Sequence, residues 1–192
     1  MKNIVLTSCG IIDEDFKNEF YNIVSREELS NKKVLYITTA ADGDVDDDKS
    51  WMDDEYKSIL DLGINEDNIT EYKIGVGDIN LNCFDIIYMM GGNTFYLLDM
   101  IRKYKFDILI KKFIESKKIY IGSSAGSEIL GNSIEIALPY DDNIVNMRDF
   151  TGLRIVDGLI VPHCNRKKEF IKKLSKERDN IIQLFDGSGF IV

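Results

Sequence analysis

Two kinds of apolar pattern alternate along the chain. Short runs such as "KKVLYITTA" and "CFDIIYMM" are apolar at nearly every position, as strands covered on both faces are. Between such runs, segments such as "EDFKNEFYNIVS" and "NTFYLLDMIRKY" place apolar residues at helical spacing. Read in order, "KNIVLTS" predicts a first strand, "EDFKNEFYNIVS" a helix and "KKVLYITTA" a second strand. "KSWMDDEYKSILDLG" predicts a helix closed by Gly63. "ITEYKIG" and "CFDIIYMM" follow as strands, "NTFYLLDMIRKY" and "ILIKKFIES" as helices, and "KKIYIGSS" as a fifth strand. "GLIVPH", "IIQLFDG" and "GFIV" add more strands, whereas 132–157 is less regular and holds the polar loop "YDDNIVNMRD". This alternation predicts an α/β fold: a doubly wound, mostly parallel sheet with helices on both faces. With no internal repeat or linker, residues 1–192 read as one domain.

Composition narrows the class. Hydrophobic residues make up 44% and charged residues 30%, the balance of a folded globule rather than a disordered chain. The net charge of −9 argues against a nucleic-acid partner, because such binding rests on Lys and Arg neutralising phosphates. Lys167, Lys168, Lys172 and Lys173 read as the wet face of a helix. No apolar run approaches the ~18 residues of a membrane span, and "MKNIVLTSCG" enters a strand at once, with too short an apolar stretch for a signal peptide. Three cysteines (Cys9, Cys83, Cys164) without metal-type spacing predict a reduced, cytoplasmic protein. The acidic stretch "ADGDVDDD" (41–48) is like the start of a calcium loop, but Asp47 stands where that loop needs Gly; it reads as a solvated loop, and no metal is expected.

Three joints carry chemistry, each at the carboxyl end of a predicted strand, where open α/β sheets gather their ligands. In "MMGGNTF", Gly91 and Gly92 permit close backbone approach, Asn93 or Thr94 can cap the next helix, and exposed N–H groups can meet an oxyanion or a phosphate. The GK[ST] ending of a phosphate loop is missing. In "YIGSSAGSEIL", Gly122-Ser123-Ser124-Ala125-Gly126 fits G-x-S-x-G, a sharp strand-to-helix turn that lifts its central side chain above the sheet. That pattern makes Ser124 the nucleophile candidate and aims the Ala125 N–H at a developing oxyanion. In "GLIVPHCN", His163 is the one histidine of the chain and the only candidate for the general base a serine hydroxyl needs. A carboxylate should orient its imidazole, and Asp186, after one more apolar strand and before a glycine turn, is best placed. The order Ser124, His163, Asp186 differs from the Ser-Asp-His order of α/β-hydrolases.

Taken together, "GGNTFYLL", "GSSAG", "VPH" and "QLFDGSGFIV", in this order and spacing, resemble the peptidase E (α-aspartyl dipeptidase) family of serine peptidases over nearly the whole chain. The resemblance implies a class I glutamine amidotransferase-like, flavodoxin-like fold with serine in place of the elbow cysteine. It also implies cleavage of dipeptides with N-terminal aspartate by a Ser-His-Glu type triad. Carried over, Ser124 is the nucleophile, His163 the base, and Gly91 or Gly92 with Ala125 the oxyanion donors. Asp186 stands where the family usually has Glu, one methylene longer. The segment after His163 is shorter than in the aspartyl dipeptidases, and Arg166 is the candidate for an acidic substrate side chain.

The expected function is thus hydrolysis of small acidic peptides by covalent acyl transfer, without cofactor, by a monomer or homodimer. Asn93 is a further candidate substrate contact, and Asp141 or Asp142 a candidate for the substrate's α-amine. The alternatives are an acyl hydrolase of other specificity, a non-catalytic amidotransferase-like binding module, and a cysteine amidotransferase. The last would need Cys9 or Cys164, both outside the elbow and read as small buried residues.

Overall fold

The computed structural model describes residues 3–45 and 48–192; Asp46 and Asp47 of the acidic stretch lie outside them. Among the described residues the main sheet has six strands. They are β1 (Ile4–Thr7), β2 (Val34–Ile37), β3 (Ile69–Tyr72), β4 (Ile86–Met89), β5 (Ile119–Ser123) and, numbered after the two below, β8 (Gly189–Ile191). Their order is β3-β2-β4-β5-β1-β8; the first five are mutually parallel and β8 runs antiparallel to β1. A separate parallel pair, β6 (Leu159–Val161) and β7 (Ile181–Gln183), supplies the other late strands. The fold is the mostly parallel α/β class that the apolar pattern predicts.

The continuous apolar runs have a direct cause. Alternate side chains enter two separate cores, one on each side of the sheet. Val5, Val34, Tyr36, Ile86, Tyr88 and Ile121 face one side. There they meet α1 (Glu14–Tyr21), α2 (Arg26–Leu29) and α3 (Trp51–Asp61) through Phe16, Phe20, Leu29 and Ile59. Leu6, Leu35, Ile37, Ile87, Met89 and Tyr120 face the other. They are covered by α4 (Thr94–Lys103), α5 (Phe106–Glu115) and the short α6 (Ala125–Glu128), with Phe95, Leu98, Ile101, Ile110 and Phe113 as the main contacts.

Helix ends follow local chemistry. Asp13 caps α1 by accepting the Phe16 N–H, and Asn93 caps α4 by accepting that of Tyr96. Gly63, at φ +91°, ends α3 and donates to Leu60 O at 2.8 Å. The short α2, which the apolar pattern does not predict, is opened by a reciprocal Ser25–Glu28 capping box. The last helix, α7 (Lys168–Glu177), exposes Lys168, Lys172 and Lys173. Lys167 departs from the expected wet face: it precedes the helix and its ammonium lies 3.9 Å from the Tyr140 ring centroid.

Candidate active site

Segments at the carboxyl ends of β1, β2, β4, β5, β6 and β7 converge on one side of the sheet. After β5, Ser124 adopts φ +46°, ψ −112°, a conformation an L-residue holds only when its surroundings impose it. Those surroundings are specific. The Ser124 N–H donates to Thr7 O at 3.0 Å. Ser127 Oγ donates to Thr7 O and to Gly122 O, and accepts the Thr7 N–H; Tyr120 Oη donates to Gly126 O. The flanking glycines are required by space. A Cβ on Gly126 would stand 2.0 Å from Met89 O, and one on Gly122 2.6 Å from Gly126 O. Backbone crowding thus forces the turn that raises Ser124.

Ser124 Oγ lies 3.0 Å from His163 Nε2, although 39 residues separate them. His163 follows β6 and Pro162 and has φ +59°. Its Nδ1 lies 2.6 Å from Asp186 Oδ1, which assigns Nδ1–H as the donor and leaves Nε2 as an acceptor facing the Ser124 hydroxyl. Asp186 is held at both oxygens. Ser8 Oγ donates to Oδ1 at 3.0 Å, Asn165 Nδ2 donates to Oδ2 at 2.9 Å, and Arg166 Nε forms an ion pair with Oδ2 at 2.8 Å. Ser8, at the end of β1, also accepts the His163 backbone N–H at 2.6 Å. It therefore ties His163 and Asp186 together.

The electrostatics match this arrangement. Burial lowers the His163 pKa, outweighing the opposing pull of Asp186, so the imidazole is neutral near pH 7. Burial by itself would raise Asp186, but hydrogen bonds from Asn165, His163 and Ser8 together bring it below the usual carboxylate value. Asp186 is therefore an anion hydrogen-bonded to a neutral ring.

Ser124 and His163 open into a cavity of about 490 Å³. Ser8, Cys9, Ile12, Gly91, Gly92 and Arg166 form part of its wall; Asp44 and the α3 residues Trp51, Asp54 and Glu55 form another part. Among the described residues, the Gly92 and Ala125 N–H groups donate to no other backbone carbonyl outside helices and strands. Gly92 must be glycine at φ +127°, where a Cβ would sit 2.5 Å from the Ala40 carbonyl carbon. Gly91 instead lies beside the Glu55 carboxyl, whose pKa burial raises to about 7 with the Gly91 N–H only partly opposing that shift.

The other expected site residues are placed less directly. Asn93 is 4% exposed, and both ends of its amide are engaged: Oδ1 caps α4 and Nδ2 donates to Asp142 O at 2.8 Å. The Asp142 side chain is exposed and absent from the cavity wall. Asp141 accepts the Thr94 N–H at 2.8 Å. Arg166 reaches the cavity but is paired with Asp186. Cys164 is buried as expected, whereas Cys9 is only half-buried and lines the cavity; burial raises its thiol pKa, which disfavours a thiolate. Among the described residues no group of His, Cys, Asp and Glu is arranged to hold a metal ion, and no helix is long and apolar enough to cross a membrane.

The protein is a serine peptidase of α/β architecture. The chain belongs to peptidase family S51, whose profile matches residues 4–189. An uncharacterized peptidase of Listeria monocytogenes is 31% identical over 191 residues, spanning 96% of this chain and 90% of the relative. One from Pasteurella multocida is 34% identical over 139 residues, spanning 70% of this chain and 66% of its own. A crystal structure of a peptidase E-type protein from Listeria monocytogenes superimposes with a TM-score of 0.83 at 29% identity, covering 100% of this chain and 94% of the other.

Proposed function

We propose that the chain hydrolyses small peptides through a Ser124–His163–Asp186 triad. The observation that carries this reading is the continuous path from Ser124 Oγ to His163 Nε2 (3.0 Å) and from Nδ1 to Asp186 (2.6 Å), built from three distant segments beside a cavity. In the acylation step Ser124 Oγ bonds to the substrate carbonyl carbon as its proton passes to Nε2. The carbonyl electron pair moves onto oxygen, where the Gly92 and Ala125 N–H groups are the candidate donors. The C–N bond then breaks as His163 returns the proton to the leaving amine, and water repeats the sequence on the acyl-enzyme. Asp186 stabilises the transient imidazolium and stays ionised. Asp186 makes this contact at 2.6 Å despite being shorter than Glu, because Ser8, Asn165 and Arg166 hold it against the ring.

Specificity for an N-terminal aspartate follows from the family resemblance, with Arg166 as its cation. A second reading has an observation in its favour: Arg166 already binds Asp186 at 2.8 Å, and Asp44, Asp54 and Glu55 share the cavity wall. An acidic side chain would enter against those carboxyls, so a hydrolase of non-acidic peptides fits the wall at least as well.

A panel of Asp-X, Glu-X, Lys-X and Leu-X dipeptides plus a p-nitrophenyl ester, with wild type beside Ser124→Ala and His163→Ala, tests both. Turnover abolished in the two variants supports the triad, and the rank order of dipeptides decides specificity. Wild type that neither turns over any substrate nor reacts with a fluorophosphonate at Ser124 would leave a binding module.

A further inference from the structure

Glu55 is a buried carboxyl at the cavity to which the reaction assigns no role. It sits on α3, five residues into the helix, and is 6% exposed. A carboxyl in that position has lost its water and needs partners. Its Oε1 accepts from Tyr88 Oη at 3.1 Å. Its Oε2 lies 3.7 Å from where a Cβ on Gly91 would stand, and the Gly91 N–H, with Tyr88 and Ser123, partly offsets the effect of burial. Ser123 Oγ is fully buried, faces this carboxyl and closes no hydrogen bond of ordinary length. The same carboxyl therefore borders both segments that must be held still: the Gly91–Gly92 turn and the elbow immediately before Ser124. Gly91 and Ser124 themselves nearly touch, a Cβ on the glycine falling 3.0 Å from Ser124 Cβ.

Resting on the triad reading above, we propose that Glu55 is a positioning residue of the peptidase, whose buried carboxyl holds the Gly91–Gly92 turn in register with the nucleophile. It touches no reacting atom. Packed beside Gly91, the carboxyl keeps this turn against the elbow, where the Gly92 and Ala125 N–H groups are the candidate oxyanion donors. Neutral and hydrogen-bonding suffices for this role; negative charge is not needed. Glutamine can give one amide oxygen to the Gly91 N–H and its amide N–H₂ to the Tyr88 oxygen, since a phenol both donates and accepts.

The test compares wild type with Glu55→Gln, Glu55→Leu and Glu55→Asp, using p-nitrophenyl ester hydrolysis, the rate of fluorophosphonate labelling and thermal melts. Expected are Gln within about threefold of wild type, and Leu and Asp lower in kcat by roughly tenfold to a hundredfold. KM should be nearly unchanged and labelling should slow in parallel. Asp keeps the acid but withdraws it from Gly91, so it serves where Leu fails to fold. Unchanged kcat in folded Leu or Asp variants overturns the proposal. So does a loss that Gln shares, which would tie the effect to charge. Wild type inert to both ester and fluorophosphonate would overturn the triad reading, and this role with it; an active wild type with indifferent Glu55 variants overturns this role alone.

Discussion

Replacing Asp186 by Asn tests the triad at its least conventional member. Each oxygen of Asp186 is engaged: Oδ1 accepts from His163 Nδ1 and Ser8 Oγ, and Oδ2 accepts from Asn165 Nδ2 and is ion-paired with Arg166. Asparagine must put its N–H₂ on one side. Arg166 has no acceptor to offer, whereas Ser8 Oγ and the neutral ring nitrogen both do. The amide nitrogen therefore goes toward His163 and drives the ring into the tautomer with hydrogen on Nε2. That nitrogen can no longer take the Ser124 proton from 3.0 Å. Loss of the correct tautomer costs about ten-thousandfold in kcat, or about 5 kcal/mol of transition-state stabilisation. The assay is ester or dipeptide turnover with the fluorophosphonate labelling rate, and a melt to show that the fold persists. Asp186→Asn within tenfold of wild type in both rates would refute the assignment and move the acid role to another carboxylate.

Four further outcomes are expected. Ser8→Ala removes the acceptor for the His163 N–H and a donor to Asp186, and kcat should fall roughly tenfold, as loss of a residue that orients the reacting groups does; steady-state kinetics at saturating substrate reads it. Burial lowers the His163 pKa, so kcat/KM should decline only as pH falls through a value below the ordinary ~6.5 of histidine; a decline centred above that value contradicts the burial argument. Burial raises Glu55 from 4.5 to about 7. Between these values the folded chain keeps a proton that the unfolded chain releases, so this group's contribution to stability is lost as pH rises. Urea titrations at pH 5 and 8 should show a decrement of roughly 2–3 kcal/mol in wild type that Glu55→Gln lacks; equal pH dependence in the two would refute the burial account. Gly126→Ala would drive a methyl to 2.0 Å from Met89 O and should destabilise by about 2 kcal/mol or more, read in the same titrations.

The parts legible in the sequence are those whose physics is local. Continuous apolar runs announced strands covered on both faces, because each residue of Val34–Ile37 or Ile86–Met89 enters one core or the other. The G-x-S-x-G spacing predicts a sharp strand-to-helix turn, because the crowding of Gly122 and Gly126 against backbone is a property of the turn itself. Asn93 was legible as a cap but not as a group already spent: its amide is consumed by Tyr96 N–H and Asp142 O. Arg166 had the right charge for an acidic ligand, yet its pairing with Asp186 depends on β7 lying beside β6, a contact between segments that pattern alone does not place.

Ser8 and Glu55 mark the boundary more sharply. Ser8 follows an apolar strand just as Ser124, His163 and Asp186 do, so the joint rule that nominates those three also covers it; the opening "LTSCG" has no glycine-framed turn to single Ser8 out. Glu55 carried a different signal. Trp51, Glu55, Ser58 and Ile59 recur at the spacing of one helix face, and Glu55, Ser58 and Ile59 are the buried residues of α3. A carboxylate on the buried stripe of an amphipathic helix opposes the pattern around it, and such local conflicts concentrate at functional sites. The fold gives this one a destination: Tyr88 of β4 bonds to the acid directly, and Gly91, in the loop after β4, lies beside both the acid and Ser124.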